Sequence, residues 1–397
     1  MSSDLALDLL ASGYRAIPEQ RARAGGRPDF ATRLLGRRSL VVRGADGARL
    51  FYDPSVVERH RAVPAALSGL LFGRGAIHGL DGAAHLLRKR MFLEMLSADR
   101  VAALAGRVEE RLAAQVQVWP DRDEVVVFNE LATAYGFAAL EWAGVACNHD
   151  RAHWAVRELA LIVDGFGGAG LSWWHGWQAR LRVDRWAHGL VRDARVGRRT
   201  PAAESALAVI ARSDLPSRRA AVELLNVLRP TVAAAWLGTF AVLALHEHPQ
   251  WRGRLASSAE AFAHEVRRYY PFVPALTGVA ARPFDHQGRR WPAGTRVVLD
   301  VPGTNSDPRL WSDPDDFRPE RFDGVEPDPW SFVPQGGGYA DAGHRCPGEP
   351  ATVALLAATL RVLDDVGYDV QRAGYDVGRI PTVPEGGLRL TRVRLPR

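Results

Sequence analysis

Between residues 97 and 118 apolar residues return every third or fourth position, with acids and arginines between them, and Pro120 closes the run. That spacing predicts a helix with one buried face. The stretch 125–144 is apolar over much of its surface and predicts an interior helix. Further helices are predicted over 202–211, 220–246, 257–269 (stopped ahead of Pro271) and 352–363. Strand patterns are short and lie near the two ends. Leu40-Val-Val-Arg, the turn Gly44-Ala-Asp-Gly47 and Ala48-Arg-Leu-Phe-Tyr52 predict a hairpin. Within 289–300 a Pro-Ala-Gly-Thr turn is followed by Arg296-Val-Val-Leu299, which predicts another strand. Residues 388–395 alternate apolar and basic, as an edge strand does. From Val301 to Ala342 the chain is rich in Pro, Gly and Asp without periodicity, and irregular stretches of that length are usually functional. No repeat, low-complexity tract or linker interrupts the pattern. It predicts a mainly α fold with small peripheral β-sheets, built as a single domain over 1–397.

Composition changes this picture little. Apolar residues make up 47% and charged residues 24%, which excludes a disordered or fibrous chain. The 397 residues can bury a large core without disulfides. The longest apolar stretch, Thr231 to Leu245, falls short of the roughly 20 residues that span a bilayer, so a core helix is expected there and no membrane span. The first ten residues carry acids among leucines and no basic segment, unlike a signal peptide. Two cysteines, Cys147 and Cys346, cannot build a disulfide framework and are expected as free thiols in a cytoplasmic protein. The net charge is +6, and of the 51 basic residues only Lys89 is lysine. Acids and bases are mixed along the chain, which argues against a nucleic-acid partner.

The strongest local feature is Phe332-Val-Pro-Gln-Gly-Gly-Gly-Tyr-Ala-Asp-Ala-Gly-His-Arg-Cys-Pro-Gly-Glu349. Glycines let backbone amides approach a bound group closely. A helix start and Arg345 beside Cys346 favour thiolate, the form that ligates metals. A buried inert cysteine and a cysteine nucleophile are the competing readings. Two further segments decide between them. Glu265-Val-Arg-Arg268 is an E-x-x-R on a predicted helix, and Phe317-Arg-Pro-Glu-Arg-Phe322 follows in the irregular stretch. E-x-x-R alone is common, but this ordered set resembles the cytochrome P450 superfamily over essentially the whole chain. The resemblance implies that Glu265, Arg268 and Arg321 form a buried triad. It implies that Cys346 is the thiolate ligand of heme b, with His344 and Arg345 against the cofactor. Thiolate ligation pushes electron density onto iron and favours O–O cleavage.

Two departures from the usual pattern narrow the resemblance. Most members carry Phe and Gly where this chain has Tyr339 and Ala342, and an acid–threonine pair where it has Arg229 and Pro230. Leu228-Arg-Pro-Thr-Val-Ala, Glu265-Val-Arg-Arg-Tyr-Tyr-Pro-Phe and the cysteine loop resemble the bacterial fatty-acid peroxygenases. Those enzymes use hydrogen peroxide and no redox partner. The resemblance implies that Arg229 anchors the fatty-acid carboxylate above the heme, through a fork that pairs carboxylates bidentately. Pro230 would distort the helix and open room beside the iron. His85 and Lys89, on one helical face, would pair with heme propionates. His78, at a position where decarboxylating members tend to carry histidine, would act near the substrate, and Phe72 would pack by its chain. Gly165-Phe-Gly-Gly-Ala-Gly170 lacks the order of a phosphate loop, and the resemblance places it along the substrate channel. Trp173, Trp174 and Trp177 are expected in ordinary packing, and Cys147 has no expected role. The expected reaction is hydroxylation of a fatty acid at the alpha or beta carbon, with decarboxylation to a terminal alkene beside it. A conventional monooxygenase with redox partners and a non-catalytic heme sensor are the alternatives.

Overall fold

The computed structural model describes residues 4–396. The chain opens with α1 (Leu5–Ser12), capped by the Asp4 side chain, and α2 (Ala16–Arg23). β1 (Phe30–Leu34) then pairs antiparallel with β2 (Arg37–Val42). The expected hairpin partner of β2 is instead a helix, α3 (Gly44–Tyr52). Both edges of β2 are already taken, Leu40 facing Ala31 on one side and Val297 on the other. The buried residues Gly44, Gly47, Ala48 and Phe51 follow helical spacing and cover the sheet.

β3 (Val57–Glu58), α4 (Ala65–Leu71), α5 (Gly82–Met95) and α6 (Ala98–Val116) come next. The interior helix expected from 125 begins as a short strand, β4 (Val125–Val126), and continues as α7 (Val127–Trp142). α8 (His149–Phe166) and α9 (Leu171–Arg195) pack on each other. The contact is close because Gly176 has no side chain: a Cβ there would lie 3.1 Å from the Leu161 carbonyl oxygen. α9 carries arginine and tryptophan around its surface, so no clean apolar stripe announces it. α10 (Ala206–Arg212) leads into α11 (Ser217–Glu247).

α11 is the axis of the core and packs against α7, α8, α9 and α14 (Glu349–Leu363). It is long and apolar enough to cross a membrane, yet 94% of its most apolar window is buried inside the protein. Burial on all sides explains why its sequence is apolar all round. Pro230 lies inside it and offers no N–H to the preceding turn.

α12 (Leu255–Tyr269) precedes β5 (Ala275–Ala280), β6 (Phe284–His286), β7 (Arg289–Trp291) and β8 (Arg296–Asp300). The strand expected at Arg296-Val-Val-Leu299 is β8, and β7, ahead of the turn at Pro292, lies in a different sheet. One sheet runs β1-β2-β8-β5-β3, with β2 and β8 parallel. The short α13 (Val301–Asn305) follows. Near the C-terminus β9 (Gly367–Val370) and β10 (Arg389–Arg394) join β4 in the order β4-β10-β9. β10 is therefore central, not an edge strand: Leu390 faces both Val125 and Val370. Its arginines read as edge charges because one sheet face is open, where Arg389 meets Glu124 and Arg394 meets Asp369.

The irregular stretch after α13 is held by one buried carboxylate. Glu265 of α12 is fully buried and accepts from Arg268 Nε and Nη2, both at 2.7 Å. It also accepts from Arg318 N at 2.7 Å and from Arg321 Nε at 3.3 Å. The two guanidiniums then donate onward to carbonyls of the loop, Arg268 to Pro314 at 2.8 Å and Arg321 to Asp313 at 2.6 Å. Glu265→Ala leaves Arg268 buried without its counter-charge, at a cost of about 3–5 kcal/mol. The expected result is a clear fall in the urea midpoint of unfolding; an unchanged midpoint would show that the loop is held by other contacts.

Candidate active site

Cys346 sits three residues before α14, at the end of the glycine-rich loop, and is partly accessible. Its amide donates to the Gln335 carbonyl at 3.1 Å, which ties the end of the loop back to its start. Gly336 lets the chain turn at that start. Its φ is +107°, and a Cβ there would come within 2.5 Å of the Tyr52 hydroxyl.

Burial pushes the Cys346 thiol up, against the lowering effects of the Gly348 amide, Lys89 and Arg267. The helix start thus favours thiolate, as expected, through the Gly348 amide. The Arg345 guanidinium is occupied by Glu349 at 2.6 Å and by the Gly338 carbonyl at 3.0 Å. Arg267 holds Glu349 from its other side and reaches Gln335 at 3.1 Å. Burial alone would raise Glu349, but Arg267 and Arg345 hold it below the usual carboxylate range.

The sequence-predicted residues His85, Lys89 and His344 do meet. The His85 and His344 rings stack with centroids 3.8 Å apart, and His344 Nε2 lies 3.3 Å from Asp81 Oδ1. Burial drives His85 down to about 3, assisted by the charges of His344 and Lys89. Lys89 is 2% exposed and grips the cysteine loop, donating to the carbonyls of Gly343 at 2.8 Å and Arg345 at 2.5 Å. Two of its three donors are thus used by backbone rather than standing free for a cofactor. Arg59, which no sequence pattern singled out, joins this cluster. Its guanidinium lies 3.9 Å over the Phe51 ring, and its Nη1 is buried without a partner.

Facing the loop is the middle of α11. Arg229 is 6% exposed and lies within electrostatic reach of Cys346. Pro230 is exposed although the helix residues before it are buried. Phe72 and His78 lie beside Arg229, their rings stacked with centroids 3.9 Å apart. The Arg229 guanidinium carbon is 5.8 Å from the Phe72 ring centroid. The His78 side chain is accessible yet ringed by protein. Burial, then the charge of Arg229, pushes it down to about 3, so its imidazole is neutral at ordinary pH.

Arg229 has little to neutralise it. Its one hydrogen bond is a 3.4 Å contact from Nη2 to Asn226 Oδ1, and its Nε is buried without a partner. Burial, the charge of Arg180 and the opposing pull of Cys346 bring it to about 9, still charged at neutral pH. The nearest helical acid, Glu223, is fully buried but engaged by the Ile77 amide and Arg88 Nη1, both at 2.9 Å.

Among the described residues no three His, Cys, Asp or Glu side chains cluster to hold a bare metal ion. Cys346 offers a single sulfur, which suits a metal whose other ligands come with it. Arg59, His85, Lys89 and His344 against the lone Asp81 form a basic cluster suited to acid groups on such a cofactor. An iron porphyrin with two propionates meets both conditions.

The comparisons with known proteins agree with this geometry. The cytochrome P450 family model matches residues 258–363, which span α12, the irregular stretch, the cysteine loop and α14. Cytochrome P450 137 of Mycobacterium tuberculosis is 31% identical, over 90% of this chain and 80% of its own length. Among solved structures, a variant of cytochrome P450SP alpha (CYP152B1) superposes with a TM-score of 0.94 at 38% identity, covering 100% of both chains. Ligand-free cytochrome P450 OleT gives 0.95 at 34% identity, over 99% of this chain and 98% of that one. A variant of OleT solved with arachidonic acid matches at 0.95. A glycine-rich cysteine loop, an E-x-x-R lock and Arg229-Pro230 in place of an acid–threonine pair thus lie on one shared backbone, and the chain belongs to the cytochrome P450 superfamily, in its bacterial fatty-acid peroxygenase branch.

Proposed function

We propose that this chain is a fatty-acid peroxygenase that uses hydrogen peroxide, without redox partners, to hydroxylate fatty acids at the alpha or beta carbon, with decarboxylation to terminal alkenes beside it. The observation that carries this reading is Arg229: a buried guanidinium with no ion pair on the wall that faces Cys346. A buried charge needs an anion, and a fatty-acid carboxylate supplies one. Heme b, held by the Cys346 thiolate, supplies the oxidising chemistry, because an electron-rich sulfur ligand favours O–O cleavage. His85, Arg59, His344 and the remaining donor of Lys89 would hold its propionates. Arg345 would act one step away, by fixing the loop through Glu349.

The rest follows from how the residues hold the substrate. The Arg229 fork takes the carboxylate bidentately and keeps it at one place on the cavity wall. Anchoring the head group presents the alpha and beta carbons to the reacting centre and keeps the tail away from it. The exposed ring of Pro230 leaves room beside the anchor, and Phe72 packs along the first carbons. The held carboxylate replaces the acid–threonine pair: it takes a proton from one oxygen of hydrogen peroxide and returns it to the other. Neutral His78 can hydrogen-bond at this wall without competing as an anion.

Turnover of a fatty acid with hydrogen peroxide alone is the direct test. Products at the alpha and beta carbons are expected; product only when a reductase chain is added would establish a conventional monooxygenase instead. Arg229→Ala is expected to lower fatty-acid turnover about 100-fold or more while heme stays bound. A short carboxylic acid added with a non-acid substrate should restore part of the activity. Cys346→Ala is expected to lose the strongly red-shifted Soret band of the ferrous carbon monoxide complex, and persistence of that band would remove Cys346 as ligand.

A further inference from the structure

The unpaired state of Arg229 depends on a second arginine on another helix. Glu223 lies on α11 six residues before Arg229 and is 0% exposed. Its Oε2 accepts from Asn226 Nδ2 at 3.0 Å, which turns the Asn226 Oδ1 toward Arg229 Nη2 at 3.4 Å. Left alone, this buried carboxylate would offer Arg229 a counter-charge through Asn226. Arg88 of α5 intercepts it. Its Nη1 donates to Glu223 Oε1 at 2.9 Å and to the Gly75 carbonyl at 2.7 Å, and its side chain is 11% exposed.

The same carboxylate accepts from the Ile77 amide, one residue before His78, at 2.9 Å. Glu223 therefore joins the Phe72–His78 wall to the Arg229 wall. Burial raises the proton affinity of Glu223, and Asn226, Arg88 and Ile77 pull it back. From α9, Arg180 adds a second guanidinium near Arg229, but its own charge is met by Asp184 at 2.6 Å. Two of the three arginines around this wall are thus paired, and the pairing leaves one positive charge, on Arg229.

We propose that Arg88 is a positioning residue for substrate recognition: by holding the Glu223 carboxylate, it keeps that anion from pairing with Arg229 and leaves Arg229 open for the carboxylate of the fatty acid. Arg88 does not touch the substrate in this scheme. Without it, Glu223 stands as an uncompensated buried anion. Asn226 then relays that charge to Arg229, and the incoming carboxylate is repelled. The inference rests on Arg229 being the anchor, so both must be tested together.

The measurement is the dissociation constant of the heme-loaded enzyme for a fatty acid and for the fatty alcohol of the same chain length, read from the heme absorbance. Arg88→Met is expected to bind the acid about tenfold more weakly, with the alcohol unchanged. Arg88→Lys keeps a cation beside Glu223 and is expected to retain affinity near that of the parent. Peroxide turnover of Arg88→Met should show a raised KM with little change in kcat. Equal weakening of acid and alcohol would reduce Arg88 to a loop-holding residue, and undiminished acid binding in Arg88→Met would overturn the proposal. Arg229→Gln separates the two levels: acid affinity retained there sinks the anchor itself, whereas acid affinity lost there but kept in Arg88→Met sinks only the role of Arg88.

Discussion

Burying a guanidinium costs several kcal/mol unless an anion meets it, and this chain buries or half-buries several of them around one site. Four are met by acids that tie elements together. Arg268 lies on Glu265, Arg267 and Arg345 share Glu349, and Arg88 takes Glu223. Arg229 has a single long contact to a neutral amide. The contrast separates structural from functional arginines more sharply than the net charge of +6 can. The paired ones lock segments to one another, and the unpaired one is stable only when something outside the chain completes it.

α5 sets the spacing between the two walls of the site. Lys89 reaches down to the carbonyls of Gly343 and Arg345 in the cysteine loop. Its neighbour Arg88 reaches across to Glu223 on α11. Successive helical positions point about 100° apart, so two adjacent basic residues grip two different elements. His85, one turn earlier, adds the stack on His344. The gap between Cys346 and Arg229 is therefore held by one helix that spends three polar side chains on its neighbours. A gap held that way keeps its width for a rigid planar group, which a gap lined by mobile loops would not.

What the sequence made legible was local or motif-borne. The apolar run of α11 shows because a helix buried all round needs apolar residues on every face. Glu265, Arg268 and Arg321 show because E-x-x-R and P-E-R-F stand in fixed order, and the structure joins them at 2.7 and 3.3 Å. The misreadings are failures of pairing. Whether 48–52 extends a hairpin or turns back as a helix depends on β8 having already claimed the free edge of β2, more than 250 residues away in sequence. The arginines of β10 look like an edge until β9 and β4 are seen on both its sides. Arg59 gave no signal because its place in the basic cluster comes from the packing of a loop. Arg88 stood beside Lys89 in plain view, but its meaning lies in Glu223, and that contact crosses 135 residues.

The state of His78 bears on which group moves the proton. Burial is the larger cause of its low proton affinity and the charge of Arg229 the next. A carboxylate bound to Arg229 would cancel the second cause and leave the first. The imidazole then stays neutral, with one N–H and one acceptor nitrogen fixed against Phe72 at 3.9 Å. A carboxylate held in the same place has the opposite character. Arg229 keeps it ionised until peroxide offers a proton, and it can release that proton to a stronger base within the same site. In the proposed mechanism the proton shuttle therefore belongs to the substrate, and the protein's part is to bury one arginine and leave it unpaired.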